Sequence, residues 1–298
     1  GRFSSCRPAE AGEFSRRAMV NGKMDLAHLE GLIDLINSET EMQRKQALNQ
    51  MQGSLSQMVS QWRQSLLQAM VFVESQIDFS DEGDVVSLDL QRITIPIQAL
   101  VFSLKQALED SKQGIRLREG LAIIIAGPPN AGKSSLLNYL AKKDVAIVSP
   151  VAGTTRDLIE VPLQIDGLPI TLIDTAGLHD SHDPIEQEGI KRALMRVQQA
   201  DLGLWLTAPD QFDHPPEGSH WIQVRTKSDL TEIIDQETLN ISLVTGCGLD
   251  ELFDRIKFEA AKRVGSGDAL VTRERQRQAI DSALMSLSCL LYTSDAAD

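Results

Sequence analysis

Leu121 to Ser135, LAIIIAGPPNAGKSS, is the stretch that decides the fold. Its second part, Gly127 to Ser135, fits the phosphate-loop pattern G-x-x-x-x-G-K-[ST] in full, and its first part is an apolar run of strand length. In such a loop successive backbone N–H groups turn inward around phosphates. Asn130, Ala131 and Gly132 provide that backbone and Lys133 an ammonium for the β- and γ-phosphates. The Ser134 hydroxyl is a ligand for Mg2+, with Ser135 beside it. A helix opening near Lys133 adds its positive end to the same anion site. The stretch therefore implies a nucleoside triphosphate site at the end of a strand.

From Leu121 to about Val264 strand-like runs alternate with helical ones, the signature of a mostly parallel α/β sheet. Leu158 to Ile165 and Leu168 to Ile173 read as strands joined by Asp166-Gly167, a hairpin signal. The second of them runs straight into Asp174-Thr175-Ala176-Gly177. One antiparallel pair before a D-x-x-G loop is how guanine-nucleotide proteins are arranged. Asp174 stands where an aspartate holds Mg2+ through water, and the Gly177 amide can follow the γ-phosphate. Between them lies Gly153 to Asp157, GTTRD, where Thr154 and Thr155 offer hydroxyls; Thr155 completes the Mg2+ shell while the γ-phosphate is present and lets go after hydrolysis.

Base choice falls to Thr226-Lys227-Ser228-Asp229, after the run Trp221 to Arg225. The Asp229 carboxylate accepts from guanine N1–H and its exocyclic amine together, whereas adenine has no N1–H to give, so GTP is favoured over ATP. The usual pattern here is N-K-x-D; Thr226 in place of Asn exchanges an amide contact near the purine for a hydroxyl. Ser242 and its neighbours in ISLVTGCG, Ile241 to Gly248, are expected to bring a backbone contact to the base edge. After D-T-A-G comes Leu178, where many GTPases place a glutamine that orients water. A leucine cannot, which leaves His179, Asp180, His182, Asp183, Glu186 and Glu188 as the polar groups nearby.

The rest of the 298 residues supply helices. Leu26, Leu29 and Ile33, then Leu48, Met51, Leu55, Met58, Trp62, Leu66 and Met70 recur at helical spacing. Past a polar break at Phe79 to Asp84 the pattern restarts at Ile97, Leu100, Val101, Leu104 and Leu108 and is read as ending at Gly114. It returns after Thr272, where Ile280, Leu284 and Leu287 share a face. Such stripes are core packing. A formal net charge of -13 argues against an autonomous nucleic-acid surface, so a polyanion must meet a local basic patch or a partner subunit. Cys6, Cys247 and Cys289 suggest neither a disulfide framework nor a zinc site, and a reducing cytoplasm fits. No apolar run approaches the ~18 residues of a membrane span, and no membrane association is expected.

GEFSRRAMVNGKMDLAHLEGLIDLI at Gly12 to Ile36, GPPNAGKSS, GTTRD, DTAGL and PIEQEGIKRA at Pro184 to Ala193 together resemble the MnmE (TrmE) family of tRNA-modification GTPases. The first and last are not shared by GTPases in general. The resemblance implies a P-loop GTPase domain inserted into an all-α domain: 1–22 as the tail of an amino-terminal folate-binding domain, 23–115 and 265–290 as the two helical segments, and 116–264 as the GTP-binding domain. Residues 291–298 resemble a translated adapter read-through and are read as a non-native tail.

It further implies a homodimer working with an MnmG-like FAD protein on the wobble uridine of tRNA, a carboxymethylaminomethyl-type modification that uses one-carbon tetrahydrofolate. Its GTPase is cation-dependent: Asn130 matches the residue that ligates K+, and Glu186 the switch carboxylate that positions water, so Glu186 and Lys133 are the expected catalytic residues. His179 stands where an Arg is common, and the family's carboxy-terminal Cys motif is missing. The alternative function is a GTP-dependent ribosome-assembly factor of the Era or Der type, which carries similar nucleotide motifs without the helical leader.

Overall fold

The run LAIIIA becomes strand β1 (Leu121–Ala126), with Leu121, Ile123, Ile124 and Ile125 fully buried, as an unbroken apolar strand covered on both faces must be. Parallel to it lie β3 (Leu168–Asp174) on one side and β4 (Leu202–Thr207) on the other. Beyond β4 come β5 (Trp221–Arg225) and β6 (Leu239–Asn240), also parallel. At the far edge β2 (Ile159–Ile165) runs antiparallel to β3, which gives the order β2-β3-β1-β4-β5-β6. The β2–β3 turn is Asp166 at φ 52 and Gly167 at φ 82, the pair of positive angles that a two-residue hairpin matching the strand twist demands. Pro162 is tolerated because β2 is an edge strand. Helices α6 (Lys133–Lys142) and α7 (Leu249–Val264) belong to the same unit.

The computed structural model describes residues 7–78, 91–142, 159–174, 200–211, 213–216, 221–231 and 238–295. They divide into a sheet unit, within Glu39–Met42 and Glu119–Gly265, and a helical unit, within Gly1–Ser38, Gln43–Arg118 and Ser266–Asp298. The sheet unit thus interrupts the helical one in sequence.

The helical unit holds α1 (Glu13–Val20), α2 (Leu26–Ile36), α3 (Glu41–Met51), α4 (Ser54–Asp78), α5 (Gln91–Glu119) and α8 (Glu274–Asp295). Asp25 caps α2, accepting the His28 N–H at 2.9 Å and the Ser56 hydroxyl at 2.5 Å. Burial raises the Asp25 pKa, but the bonds from Ser56 and His28 outweigh it and hold the carboxyl at about 2. The core joins Leu55, Leu100, Leu104, Ala107, Val271 and Ile280, with Trp62, Leu284 and Leu287 packed against it. Ile280, Leu284 and Leu287 therefore do share an inward face.

The expected stripe drifts on α4. Leu66 and Met70 stay 36% and 49% exposed while Ala69 is buried. At ~100° per residue, Ala69 falls about 20° from the Trp62 direction and Met70 about 80°, so the shorter side chain is the one turned inward.

One helix runs on into the stretch read as a tail, and one boundary differs from the sequence expectation. Helix α8 runs to Asp295, into the stretch 291–298. And α5 does not end at Gly114, which is buried mid-helix. A Cβ at Gly114 would stand 2.5 Å from the Val271 carbonyl oxygen and 3.0 Å from the Ala269 Cβ, so this glycine is a crossing point and not a stop signal. The chain returning from the sheet unit is fastened nearby: Gln46 Nε2 donates to Ala269 O at 3.4 Å, Arg118 Nε to Thr272 O at 2.8 Å, and Arg273 pairs with Asp34 at 2.7 Å. Gly114→Ala is accordingly expected to destabilise by about 1 kcal/mol, because overpacking, typically ~2 kcal/mol, outweighs the ~1 kcal/mol that alanine gains in a helix. Urea unfolding followed by circular dichroism measures it; an unchanged or raised midpoint would refute the crossing.

Candidate functional site

The order of strands reverses about β1, and in open α/β sheets ligands lie at the carboxyl ends of the strands at such a point. The residues that leave β1 there are the phosphate loop. Gly127 has φ 142, and a Cβ on it would overlap the Leu206 carbonyl oxygen, so only glycine lets the loop pass against β4. Helix α6 begins at Lys133, as its motif requires. Lys133 Nζ donates to Gly127 O at 2.7 Å and to Pro128 O at 2.9 Å, holding the ammonium across the loop. Ser134 and Ser135, in the first turn of α6, are exposed.

The remaining loop carbonyls are tied from outside the loop. Gln211 Nε2 donates to Pro129 O at 2.9 Å, Lys227 Nζ to Asn130 O at 2.9 Å, and Thr226 Oγ1 to Ala131 O at 2.8 Å. Thr226 is buried, with Thr207 O as its other acceptor at 3.3 Å. A hydroxyl has one proton to give, and Thr226 spends it fastening the phosphate loop to the segment that carries Asp229. Gln211 was not legible in the sequence; a glutamine after A-P-D carries no motif.

Asp229 lies in the 3-10 turn Ser228–Leu230 and is exposed. Lys227 enters that turn at φ 55, ψ 38. Behind Asp229 the fully buried Ser242 donates its hydroxyl to Asp229 Oδ1 at 2.6 Å and accepts the Val244 and Thr245 N–H groups at 3.2 Å each. The backbone contact expected of Ser242 is not available from that residue, because its N–H donates to Cys247 O at 3.0 Å. Gly246 and Cys247 also spend their N–H groups within the turn. The Leu243 N–H, next to Ser242, has no partner among the described residues.

Asp174 ends β3 opposite Ile125, at the same end of the sheet as the loop. Its side chain, and Thr154, Thr155, Gly177, Leu178, His179 and Glu186, lie outside the described residues. The donor set that is described fits a nucleoside triphosphate with Mg2+. It has a loop too tight for a Cβ, a lysine across it, an exposed hydroxyl at Ser134 and a carboxylate braced for a base. Among the described residues no cluster of three or more His, Cys, Asp or Glu is placed to hold a metal.

The family model of the MnmE helical domain matches residues 26–297. The chain belongs to the MnmE family. A tRNA modification GTPase MnmE from Beijerinckia indica subsp. indica is 50% identical over 291 residues, 96% of this chain and 64% of that protein. The MnmE of a Bradyrhizobium species is 46% identical over 300 residues, 97% of this chain and 67% of its own. The chain thus spans roughly two thirds of the length of these relatives. Among solved structures, Aquifex aeolicus Era bound to GDP and aluminium fluoride is 27% identical over 47% of this chain and 56% of its own, with a TM-score of 0.37, a likeness too slight to bear on function.

Proposed function

We propose that this chain binds GTP with Mg2+ and hydrolyses its β–γ phosphoanhydride in the service of tRNA wobble-uridine modification. One observation carries the nucleotide part: Thr226 and Lys227, beside the base-reading Asp229, bond directly to the carbonyls of Ala131 and Asn130 in the phosphate loop. The two ends of a nucleotide site are thereby held at one spacing. On this reading Lys133 and the N–H groups of Asn130 and of Gly132 to Ser135 take the phosphates, while the Ala131 N–H donates to Pro128 O at 3.3 Å and shapes the loop; Ser134, Thr155 and Asp174 hold Mg2+, with Thr154 alongside and Gly177 at the γ-phosphate. Asp229 reads guanine N1–H and N2, and the Leu243 N–H, without a partner among the described residues, supplies a donor to guanine O6. Bound Mg2+ neutralises charge that builds on the phosphate oxygens.

The tRNA part rests on the family match, which includes the helices on both sides of the sheet unit and so favours it over ribosome assembly. It brings the rest of the scheme: a homodimer, an MnmG-like FAD partner, one-carbon tetrahydrofolate and a cytoplasmic setting. No described helix is long and apolar enough to cross a membrane. With a net charge of -13, tRNA is met together with the partner protein.

A cation at Asn130 would offset charge developing between the β- and γ-phosphates, a role other enzymes give to an arginine. GTP turnover with Mg2+ should be about tenfold faster in K+ than in Na+ at equal ionic strength, which asks ~1.4 kcal/mol of the cation. Asn130→Ala should lose most of that difference. Equal rates in the two salts would remove the cation from the scheme, and no turnover in either would remove the GTPase.

A further inference from the structure

We infer that Gln211, in the turn after β4, is a positioning residue of the phosphate loop, aiming the Asn130 N–H at the nucleotide's phosphates. The inference rests on reading this loop as a nucleotide site. Pro128 and Pro129 have no N–H, so the first donor the loop offers after Gly127 is that of Asn130. This N–H has no partner among the described residues. In a planar trans peptide the carbonyl of one residue and the N–H of the next point in opposite directions. Whatever holds Pro129 O therefore sets the direction of the Asn130 N–H.

Gln211 Nε2 holds it, at 2.9 Å. The amide is not a loose surface group. Its Oε1 accepts the Ala208 N–H at 3.0 Å, while the Gln211 N–H donates to Ala208 O at 3.0 Å and closes the turn. Only one orientation of the amide satisfies both Ala208 and Pro129, so the turn presents its donor ready made. Because Ala208 directly follows the end of β4 at Thr207, the rigid centre of the sheet sets where that donor stands.

Glutamate separates the two halves of this contact, since Gln211→Glu keeps the acceptor for Ala208 and replaces the donor to Pro129 with an oxygen that repels the carbonyl. The test is release of a fluorescent N-methylanthraniloyl GDP from the full chain with Mg2+, chased by excess GDP. Gln211→Glu should speed release about tenfold, the worth of one such hydrogen bond. Its ligand-free thermal midpoint and its preference for GDP over inosine diphosphate should match the wild type, because neither the core nor the base-reading residues are touched. Release at the wild-type rate would overturn the assignment. So would a fall in the ligand-free midpoint that accounts for the faster release, since that is what a merely structural residue would show. If wild type itself fails to bind the probe, the nucleotide site falls and the positioning role with it. Should Gln211→Glu not fold, Gln211→Met, of similar length and uncharged, removes both halves of the contact, and faster release at an unchanged ligand-free midpoint is again the expected result.

Discussion

Asp229→Asn is expected to lose about 10³-fold in affinity for GTP while gaining affinity for xanthosine triphosphate, the scale of two charge-assisted hydrogen bonds. Guanine presents two donors, N1–H and the exocyclic amine; xanthine presents N1–H beside a carbonyl oxygen. An asparagine can meet the second pattern only with its oxygen and its amide nitrogen on the correct sides. Ser242 makes that choice. Its hydroxyl has the Val244 and Thr245 N–H groups behind it and so donates forward, to the Oδ1 position. The oxygen of the substituted side chain would be drawn to that position and its nitrogen left at the other. Lys133→Ala, which removes phosphate charge and touches no base contact, should weaken both nucleotides alike, by about 10²-fold. Equilibrium titrations with the two triphosphates separate the roles. An Asp229→Asn protein that still prefers GTP would take base recognition away from Asp229, and a Lys133→Ala protein that discriminates between the nucleotides would take the phosphates away from Lys133.

The parts of this molecule that were legible in advance are those whose cause is local. Strand β1 is an apolar run ending in glycine, the Asp166-Gly167 turn needs two positive φ angles, and α6 starts where its motif places the lysine. Each lies within a few residues of the physics that produces it. What was missed depends on residues far along the chain. Gly114 looks like a helix stop until Val271 is found against it, and Ala69 displaces Met70 from the core because of how a long helix turns against its neighbours.

The same division runs through the site. Lys133 and Asp229 announce themselves by type and spacing, but Thr226 was expected beside the purine, and only the position of Ala131 O shows what its hydroxyl reaches. The backbone contact expected of Ser242 and its neighbours cannot come from the Ser242 N–H, which donates to Cys247 O; the Ser242 hydroxyl braces Asp229, and it is the neighbouring Leu243 N–H that has no partner among the described residues. Motifs identify side chains that touch ligand. They are silent on the bonds that aim backbone groups, because those bonds can be made by many residue types.

Glu186→Ala is expected to bind GTP almost normally and to lose about 10²-fold or more in kcat, the usual worth of a group that positions or polarises the attacking water. The expectation begins from Leu178, which fills the position after D-T-A-G with a side chain that can neither donate nor accept. Some other group must hold water in line with the γ-phosphate if GTP is turned over at all, and Glu186 is the carboxylate that the family resemblance implies for the task. A group acting only on the water stabilises the transition state and leaves the ground state alone, so the loss should fall on kcat and spare nucleotide affinity. Asp183→Ala and Glu188→Ala are the controls. They remove the same charge from the same stretch of chain, so any general effect of net charge on the switch would appear in all three. Single-turnover hydrolysis, measured beside GTP affinity for each variant, distinguishes these cases. A Glu186→Ala protein that hydrolyses GTP at the wild-type rate would return the role to the remaining polar groups near Leu178, with His179 and His182 the next to test. A protein that loses affinity and rate together would make Glu186 a binding residue instead.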